Sequence, residues 1–249
     1  MEEETRVAIW NLAEYLTVKY QLQAGSAVYI ALVLGCVLLC AVVPYLVGSF
    51  NPAILISKRA YGKDIRESGS GNAGSTNMLR TYGKKAAAFT LILDLLKAAL
   101  AYWFGFFLFY GFNGGAIAGF FVVLGHIFPV FAKFRGGKGV ACLAMVALCT
   151  SPLTFAILLG IWLIIAFGTR YVSLASVMSA LLYPLILRAF TGSGAGLAVA
   201  MAIASAVFVV WRHKENLQRL YHGKEAKLQF SGKTEKTEKT DDEGGDKQD

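Results

Sequence analysis

The sequence predicts an all-α fold, a polytopic membrane helix bundle of about seven transmembrane helices with the N-terminus outside and the C-terminus cytoplasmic. Three observations carry that prediction. Hydrophobic residues make up 56% of the 249 residues, and the mean hydropathy is +0.53. The apolar residues fall in long runs free of Asp, Glu, Lys and Arg, at 26–50, 98–132, 139–169, 171–187 and 189–211. About 20 apolar residues cross a ~30 Å hydrocarbon core as one helix. Basic residues cluster between the runs. A soluble protein with buried helices would need amphipathic faces, and these runs lack them.

Taken in order, residues 1–24 form an N-terminal extension. Within it Asn11, Glu14 and Gln21 stand opposite Ile9, Trp10, Leu12, Leu16 and Val18 at helical steps. Such a pattern suits a helix lying at the membrane surface, and a solvated leader is also compatible with it. No cleavable signal peptide is expected, because this stretch begins MEEE and is interrupted by polar residues. Residues 25–230 form the transmembrane domain. A first span covers about 26–48, and a basic loop follows at 58–85. Further spans are expected at 86–111 and 114–132. The run at 139–167 is broken by Thr150, Ser151 and Pro152, and proline disrupts a helix interior. If this run crosses twice, as two short helices, every basic cluster falls on one side of the membrane. Final spans lie near 171–190 and 195–211. The tail 231–249, with four Lys against seven Asp and Glu, is expected to be disordered.

The charge distribution sets the orientation. Between residues 25 and 230 there are 18 basic against five acidic side chains, although the whole chain is only +8. Lys58, Arg59, Lys63, Arg66, Arg80, Lys84 and Lys85 lie in one loop, Lys133, Arg135 and Lys138 in another, and a third group follows Trp211. Basic segments of this kind face the cytoplasm.

Three of these polar segments carry chemistry. The first, SGSGNAGSTNMLR at 68–80, contains a literal GxGxxG, but no strand or βαβ unit surrounds it, so a dinucleotide fingerprint is excluded. Its glycines would let backbone N–H groups approach an oxyanion. Ser70, Asn72, Ser75, Thr76 and Asn77 add neutral donors, and Arg80 adds a planar charge suited to phosphate. The second, GHIFPVFAKFRGGKGVA at 125–141, is not a Walker A loop, because Ala132 and Gly139 replace the required Gly and Ser/Thr. Gly136, Gly137, Lys138 and Gly139 still combine backbone amides with an ammonium group. The third, WRHKENLQRLYHGKEAKL at 211–228, places Arg212, Asn216 and Arg219 on one helical face beside His213. A basic helix against anionic lipid gives the same pattern. The turn TRYVSLAS adds Arg170, Ser173 and Ser176. Within a span, Asp94 and Lys97 are three residues apart, which favours an internal ion pair; a substrate contact is the second reading. Cys36, Cys40, Cys142 and Cys149 form no CxxC or Cys/His cluster, so neither a zinc site nor a disulfide framework is indicated.

Together the segments SGNAGSTNMLR (70–80), GHIFPVFAKFRGGKGVA (125–141) and RHKENLQRLYHGKE (212–225), with RYVSLAS (170–176), resemble the bacterial acyl phosphate-dependent glycerol-3-phosphate acyltransferase family over roughly residues 40–228. The resemblance implies seven spans in the bacterial cytoplasmic (inner) membrane, with the site facing the cytoplasm. It implies transfer of an acyl group from a long-chain acyl phosphate to the sn-1 hydroxyl of glycerol 3-phosphate. It also implies a soluble partner that makes the acyl phosphate. No metal, cofactor or nucleic acid is indicated. Ser70, Arg80, Lys138 and His213 are the expected catalytic residues. Gly71, Asn72, Gly74, Ser75, Thr76, Asn77, Gly136, Gly137, Gly139, Ser173, Ser176, Asn216 and Arg219 are the expected substrate-binding residues, with the amides at 71–76 and 136–139 cradling phosphate.

Other classes fit less well. An acyl-CoA-dependent enzyme would carry HxxxxD, but Phe131, Gln218 and Lys227 stand five residues after His126, His213 and His222. A CDP-alcohol phosphotransferase needs an aspartate cluster, and Asp64 and Asp94 are the only aspartates before the tail. A transporter of an organic phosphate is the alternative from another class. Transporters place polar groups near mid-membrane, whereas here they gather at one interface.

Overall fold

The computed structural model describes residues 11–228. Among them there are helices and turns and no strand. The order is α1 (Leu12–Lys19), α2 (Ala27–Ser49), α3 (Pro52–Tyr61), α4 (Ser75–Tyr82), α5 (Lys84–Leu108), α6 (Phe112–Ile127), α7 (Val140–Thr150), α8 (Pro152–Thr169), α9 (Val172–Thr191), α10 (Gly196–Arg212) and α11 (Lys214–Tyr221). Residues 1–10 and the tail 231–249, expected to be disordered, lie outside the described residues.

Among the described residues, five helices are long and apolar enough to cross a membrane: α2 (running on into α3), α5, α6 (with the turn after it), α8 and α9. A sixth is counted if α10 and α11, bent by 55°, form one span. The break expected within 139–167 is present. Ser151 ends α7 and caps α8 by accepting from the Thr154 N–H (3.2 Å), with Pro152 at the first helical position, where its missing N–H costs nothing. With eleven residues, α7 rises only about 16 Å, about half of a ~30 Å hydrocarbon core.

α6 is the axis of the bundle. α2, α5, α7 and α10 pack around it, and α9 links α10 to α8. Its glycines permit this, since without a hydrophobic effect between helices in lipid, association depends on close packing of small residues. A Cβ on Gly114 would strike the Gly105 carbonyl of α5, and one on Gly105 would strike the Gly114 carbonyl. Likewise a Cβ on Gly125 would strike the Tyr45 carbonyl of α2. The core these contacts close includes Tyr102, Val122, Val123, Ile127, Leu143, Leu187 and Val209. Among the described residues of the N-terminal stretch, α1 ends at Lys19. It buries Ala13 against Cys36, Phe109 and Ile117, so part of the N-terminal extension packs on the bundle.

Candidate active site

The first loop is ordered by its own side chains. Ser57 Oγ accepts from the Ile65 N–H (3.0 Å). Asp64 accepts from the Arg66 backbone (3.0 Å), from its Nε (2.9 Å) and Nη2 (2.7 Å), and pairs with Lys58 (3.1 Å). Arg66 then reaches across to the second loop, donating to the Ala132 carbonyl (2.9 Å) and the Arg135 carbonyl (3.0 Å). The Arg66 hydrogen bonds hold the Asp64 carboxyl well below its ordinary value of 3.8. A carboxylate lowered in this way contributes stability that is complete above the unfolded value and is lost as pH falls below it. We expect Asp64→Asn to lower stability by about 1.5–3 kcal/mol at pH 7, in line with hydrogen bonds to a charged group. The same variant should show a flatter decline in Tm than the parent below pH 4. Equal acid slopes in thermal unfolding would contradict this account.

Asn77 completes the loop. Its Nδ2 donates to the carbonyls of Ile65 (3.1 Å) and Ser68 (2.9 Å), and its Oδ1 accepts from the Ser70 N–H (2.9 Å). Its amide is therefore spent inside the loop, and the geometry makes it an organiser of the loop rather than a substrate donor. Gly69 and Gly71 adopt φ +59 and +70, which favours glycine, and a Cβ at Gly69 would fall on Asn77 Oδ1. Gly74 opens α4, whose first N–H groups have no intrahelical partner.

The second loop departs from the sequence expectation. The amides of Gly136 and Gly137 are not free to cradle an anion. They donate to the carbonyls of Ile127 (3.2 Å) and His126 (3.1 Å). Their carbonyls accept from Arg212, at 3.2 Å and 3.3 Å respectively. These two glycines are there for close approach, since a Cβ at Gly136 would strike the His126 carbonyl and one at Gly137 the His126 ring. Gly139, at φ +83, turns the chain into α7.

Lys138 projects from this clamp and donates to Asn216 Oδ1 (2.6 Å). Asn216 Nδ2 donates to Glu225 Oε1 (2.6 Å), and Arg219 Nε to Glu225 Oε2 (2.8 Å). Burial pushes the Lys138 ammonium down to about 8, and the nearby Arg219, Arg80 and Arg212 charges act in the same direction against Glu225. Burial works to raise the Glu225 carboxyl, but hydrogen bonds from Asn216 and Arg219 outweigh it and hold the carboxyl below its ordinary value. His213, 2% exposed, has Nδ1 2.7 Å from the Val209 carbonyl, which makes Nδ1 the donor and leaves the lone pair on Nε2. Burial, reinforced by the Lys138 charge, pushes the imidazole down to about 4, so it is neutral at pH 7.

These elements surround one cavity of about 520 Å³. At its polar end stand Ser70, Asn72, Gly74, Ser75, Thr76 and Arg80 from the first loop and α4, with Lys138 and Gly139 from the second. Ser173, Ser176, His213, Asn216 and Glu225 close the same end. Ser176 Oγ accepts from Trp162 Nε1 (3.2 Å) and donates to the Val172 carbonyl (2.8 Å). The other end is mostly apolar, lined by Leu91, Leu95, Leu143, Phe155, Leu158 and Tyr183 among others, and Asp94 and His126 also line the cavity. Of the expected site residues, Gly71, Gly136, Gly137 and Arg219 stand behind this wall rather than on it.

A family model described as glycerol-3-phosphate acyltransferase matches residues 38–223. A glycerol-3-phosphate acyltransferase of Rhizobium etli (strain CIAT 652) is 42% identical over 196 residues, covering 78% of this chain and 93% of the relative. One from Bacillus cytotoxicus is 41% identical over 196 residues, covering 78% and 96%. The chain belongs to the glycerol-3-phosphate acyltransferase family. Among solved structures, the glycerol 3-phosphate form of PlsY, an integral membrane member, superposes with a TM-score of 0.70 at 35% identity, covering 78% of this chain and 96% of that one. Its lysophosphatidic acid form gives 0.68 at 34% identity. The family match begins within α2, after α1.

Two features of this family member were not picked out as site residues in the sequence. Glu225 ends the third motif, yet the spacing of this carboxylate among cations gave no sign that it binds both Asn216 and Arg219. His126 sits at the end of an apolar run, and only the fold brings it to Asp94 and Lys97 (Asp94 Oδ1 at 2.8 Å from Lys97 Nζ and 3.2 Å from His126 Nδ1).

Proposed function

We propose that this chain transfers an acyl group from an acyl phosphate to the sn-1 hydroxyl of glycerol 3-phosphate, giving lysophosphatidic acid and inorganic phosphate. The carrying observation is the single cavity whose polar end gathers Lys138, Arg80 and hydroxyl donors and whose other end is mostly apolar. A substrate with a phosphate and a fatty chain matches both ends. The glycerol 3-phosphate and lysophosphatidic acid forms of the related PlsY support the acceptor and the product. The acyl phosphate donor rests on the three-motif resemblance.

In this reading the hydroxyl oxygen attacks the acyl carbonyl, the acyl carbon–oxygen bond to phosphate breaks, and phosphate leaves with the proton. Lys138 and Arg80 neutralise the charge gathering on the leaving phosphate. Neutral His213, with its Nε2 lone pair, accepts a hydrogen bond from the attacking hydroxyl and orients it. An imidazole held near 4 is a weak base, which favours a substrate phosphate as the final proton acceptor. Ser70, Asn72, Ser75 and Thr76 position the phosphates, and Ser173 and Asn216 hold the far side of the same end.

The same reading sets the chain in a bacterial cytoplasmic membrane with seven passes. The basic loops share the cytoplasmic side, facing the site, only if α7 and α8 each count as a pass. A soluble enzyme would supply the acyl phosphate from that side.

Purified protein in mild detergent, given glycerol 3-phosphate with palmitoyl phosphate or with palmitoyl-CoA, tests the donor. Lysophosphatidic acid and free phosphate from the first tube alone is the expected outcome. Product from the CoA tube alone would replace the donor. Uptake of labelled glycerol 3-phosphate into vesicles without chemical change would favour a transporter.

A further inference from the structure

Asp94, Lys97 and His126 are buried within the spans, at 2%, 8% and 4% exposure, and nothing in the reaction above uses them. Ionisable groups in a membrane interior are expensive and ask for an explanation. The ammonium of Lys97 is fully engaged. It donates to the carbonyls of Gly48 (3.2 Å) and Phe50 (2.9 Å), with His126 Nδ1 at 3.0 Å and Asp94 Oδ1, its counter-charge, at 2.8 Å. Those carbonyls are at the C-terminal end of α2, where a helix leaves acceptors unpaired and favours a cation. Cys142 lies beside the same pair, with the ligand atoms of Asp94, His126 and Cys142 all within 4.8 Å of one another, and the Lys97 ammonium sits against both Asp94 and His126 as the cationic partner.

Nδ1 of His126 faces both the Lys97 ammonium (3.0 Å) and Asp94 Oδ1 (3.2 Å), and these contacts hold the ring in place. The ring abuts Gly137, so closely that a Cβ there would overlap Nε2. The His126 carbonyl holds the Gly137 amide, and Arg212 clamps the two glycine carbonyls from the opposite side. The Ala73 carbonyl of the first loop lies beside the same Gly137 and is held by Asn51 Nδ2 (3.2 Å), from the residue that follows α2 and Phe50. Lys97 thus ties the end of α2 to the ring on which Gly137 rests, and Lys138 is the next residue.

From this juxtaposition we infer that Asp94, Lys97 and His126 are positioning residues for the reaction. The triad is the seat that sets the Gly136–Gly137 segment and so holds Lys138 in its buried place beside Asn216. Asp94 and His126 also reach the wall of the cavity, and the role inferred here runs through Lys138. The inference rests on the acyl-transfer reading for its kinetic consequence, but the placement of Lys138 can be read without catalysis.

The variants are His126→Ala, His126→Gln and the pair Asp94→Asn/Lys97→Met. The pair removes both charges together, because deleting one partner alone would strand the other and unfold the protein. Thermal unfolding in detergent reports stability. The pH dependence of Lys138 acetylation by acetic anhydride, read by mass spectrometry, reports the ionisation of its amine without any turnover. The parent should show a midpoint near 8. In folded variants the seat is lost, Lys138 gains water, and the midpoint should move up towards its ordinary 10.5. kcat/KM for glycerol 3-phosphate with palmitoyl phosphate should fall at least about tenfold in the same variants, as misplacement by a fraction of an ångström implies. His126→Gln should recover part of both, since its amide can still hydrogen-bond Lys97 or Asp94.

An unchanged acetylation midpoint in a variant that melts like the parent would overturn the inference. So would activity that merely follows Tm, with the Asp94→Asn/Lys97→Met pair recovering both together. If the parent makes no lysophosphatidic acid while the acetylation midpoint still moves, the functional reading fails and the seat stands.

Discussion

Lys138→Ala is expected to lose about 10²–10³-fold in kcat while remaining folded, the usual cost of deleting one preorganised donor aimed at developing charge. The effect is large because the ammonium is buried and already held at 2.6 Å by Asn216, so no reorganisation is needed when phosphate charge develops. Arg80 lines the same cavity but is exposed and makes no salt bridge among the described residues. Solvent screens it, and Arg80→Ala should cost less, about tenfold. pH gives a second handle on Lys138. Its ammonium titrates near 8, so it is charged at pH 7 and loses its proton as pH rises through that value. kcat/KM should therefore fall on an alkaline limb near 8. In kcat the limb should lie higher, because a bound phosphate dianion favours the charged form. Lys138→Arg, which stays protonated, should remove the limb even where it lowers the rate. A parental rate in Lys138→Ala would displace the ammonium from the chemistry altogether.

The fold class was legible because it depends on one-dimensional quantities. Charge-free run length marks the apolar helices, and Thr150–Ser151–Pro152 marks the break that separates α7 from α8. Residue chemistry also identified most of the polar end. Ser70, Asn72, Arg80, Lys138, His213 and Asn216 reach one cavity although more than a hundred residues separate the first from the last. What stayed hidden was the state of each group's hydrogen bonds. Sequence shows that Gly136 and Gly137 own amides, but their partners are carbonyls at the end of α6, fixed by how the chain returns on itself. Asn77 looks like a donor to substrate until its amide is found bridging Ile65, Ser68 and Ser70. Asp94 and Lys97 declare themselves as a pair by their i,i+3 spacing. The third member, His126, is 29 residues beyond Lys97 on another helix, and no local pattern could have joined it.

Gly137→Ala separates the two roles that have been available for that glycine. If Gly137 served by offering its N–H to phosphate, alanine would keep the N–H and the enzyme would tolerate it. If it serves by close approach, the added methyl has nowhere to go. It would overlap the His126 ring and lie 2.8 Å from the Ala73 carbonyl. Neither neighbour can give way easily, since Lys97 anchors the ring and Asn51 anchors the carbonyl. The backbone at 137 must then move, and Lys138 moves with it. A displacement of about 1 Å at a catalytic group costs on the order of 10²-fold, so kcat/KM should fall by about that factor. Gly160→Ala is the matched control, because α8 leaves open space around that position and the change suits a helix. It should keep parental activity and a parental or slightly higher Tm. Parental activity in Gly137→Ala would return the second loop to an anion cradle and remove the steric basis for seating Lys138 on His126.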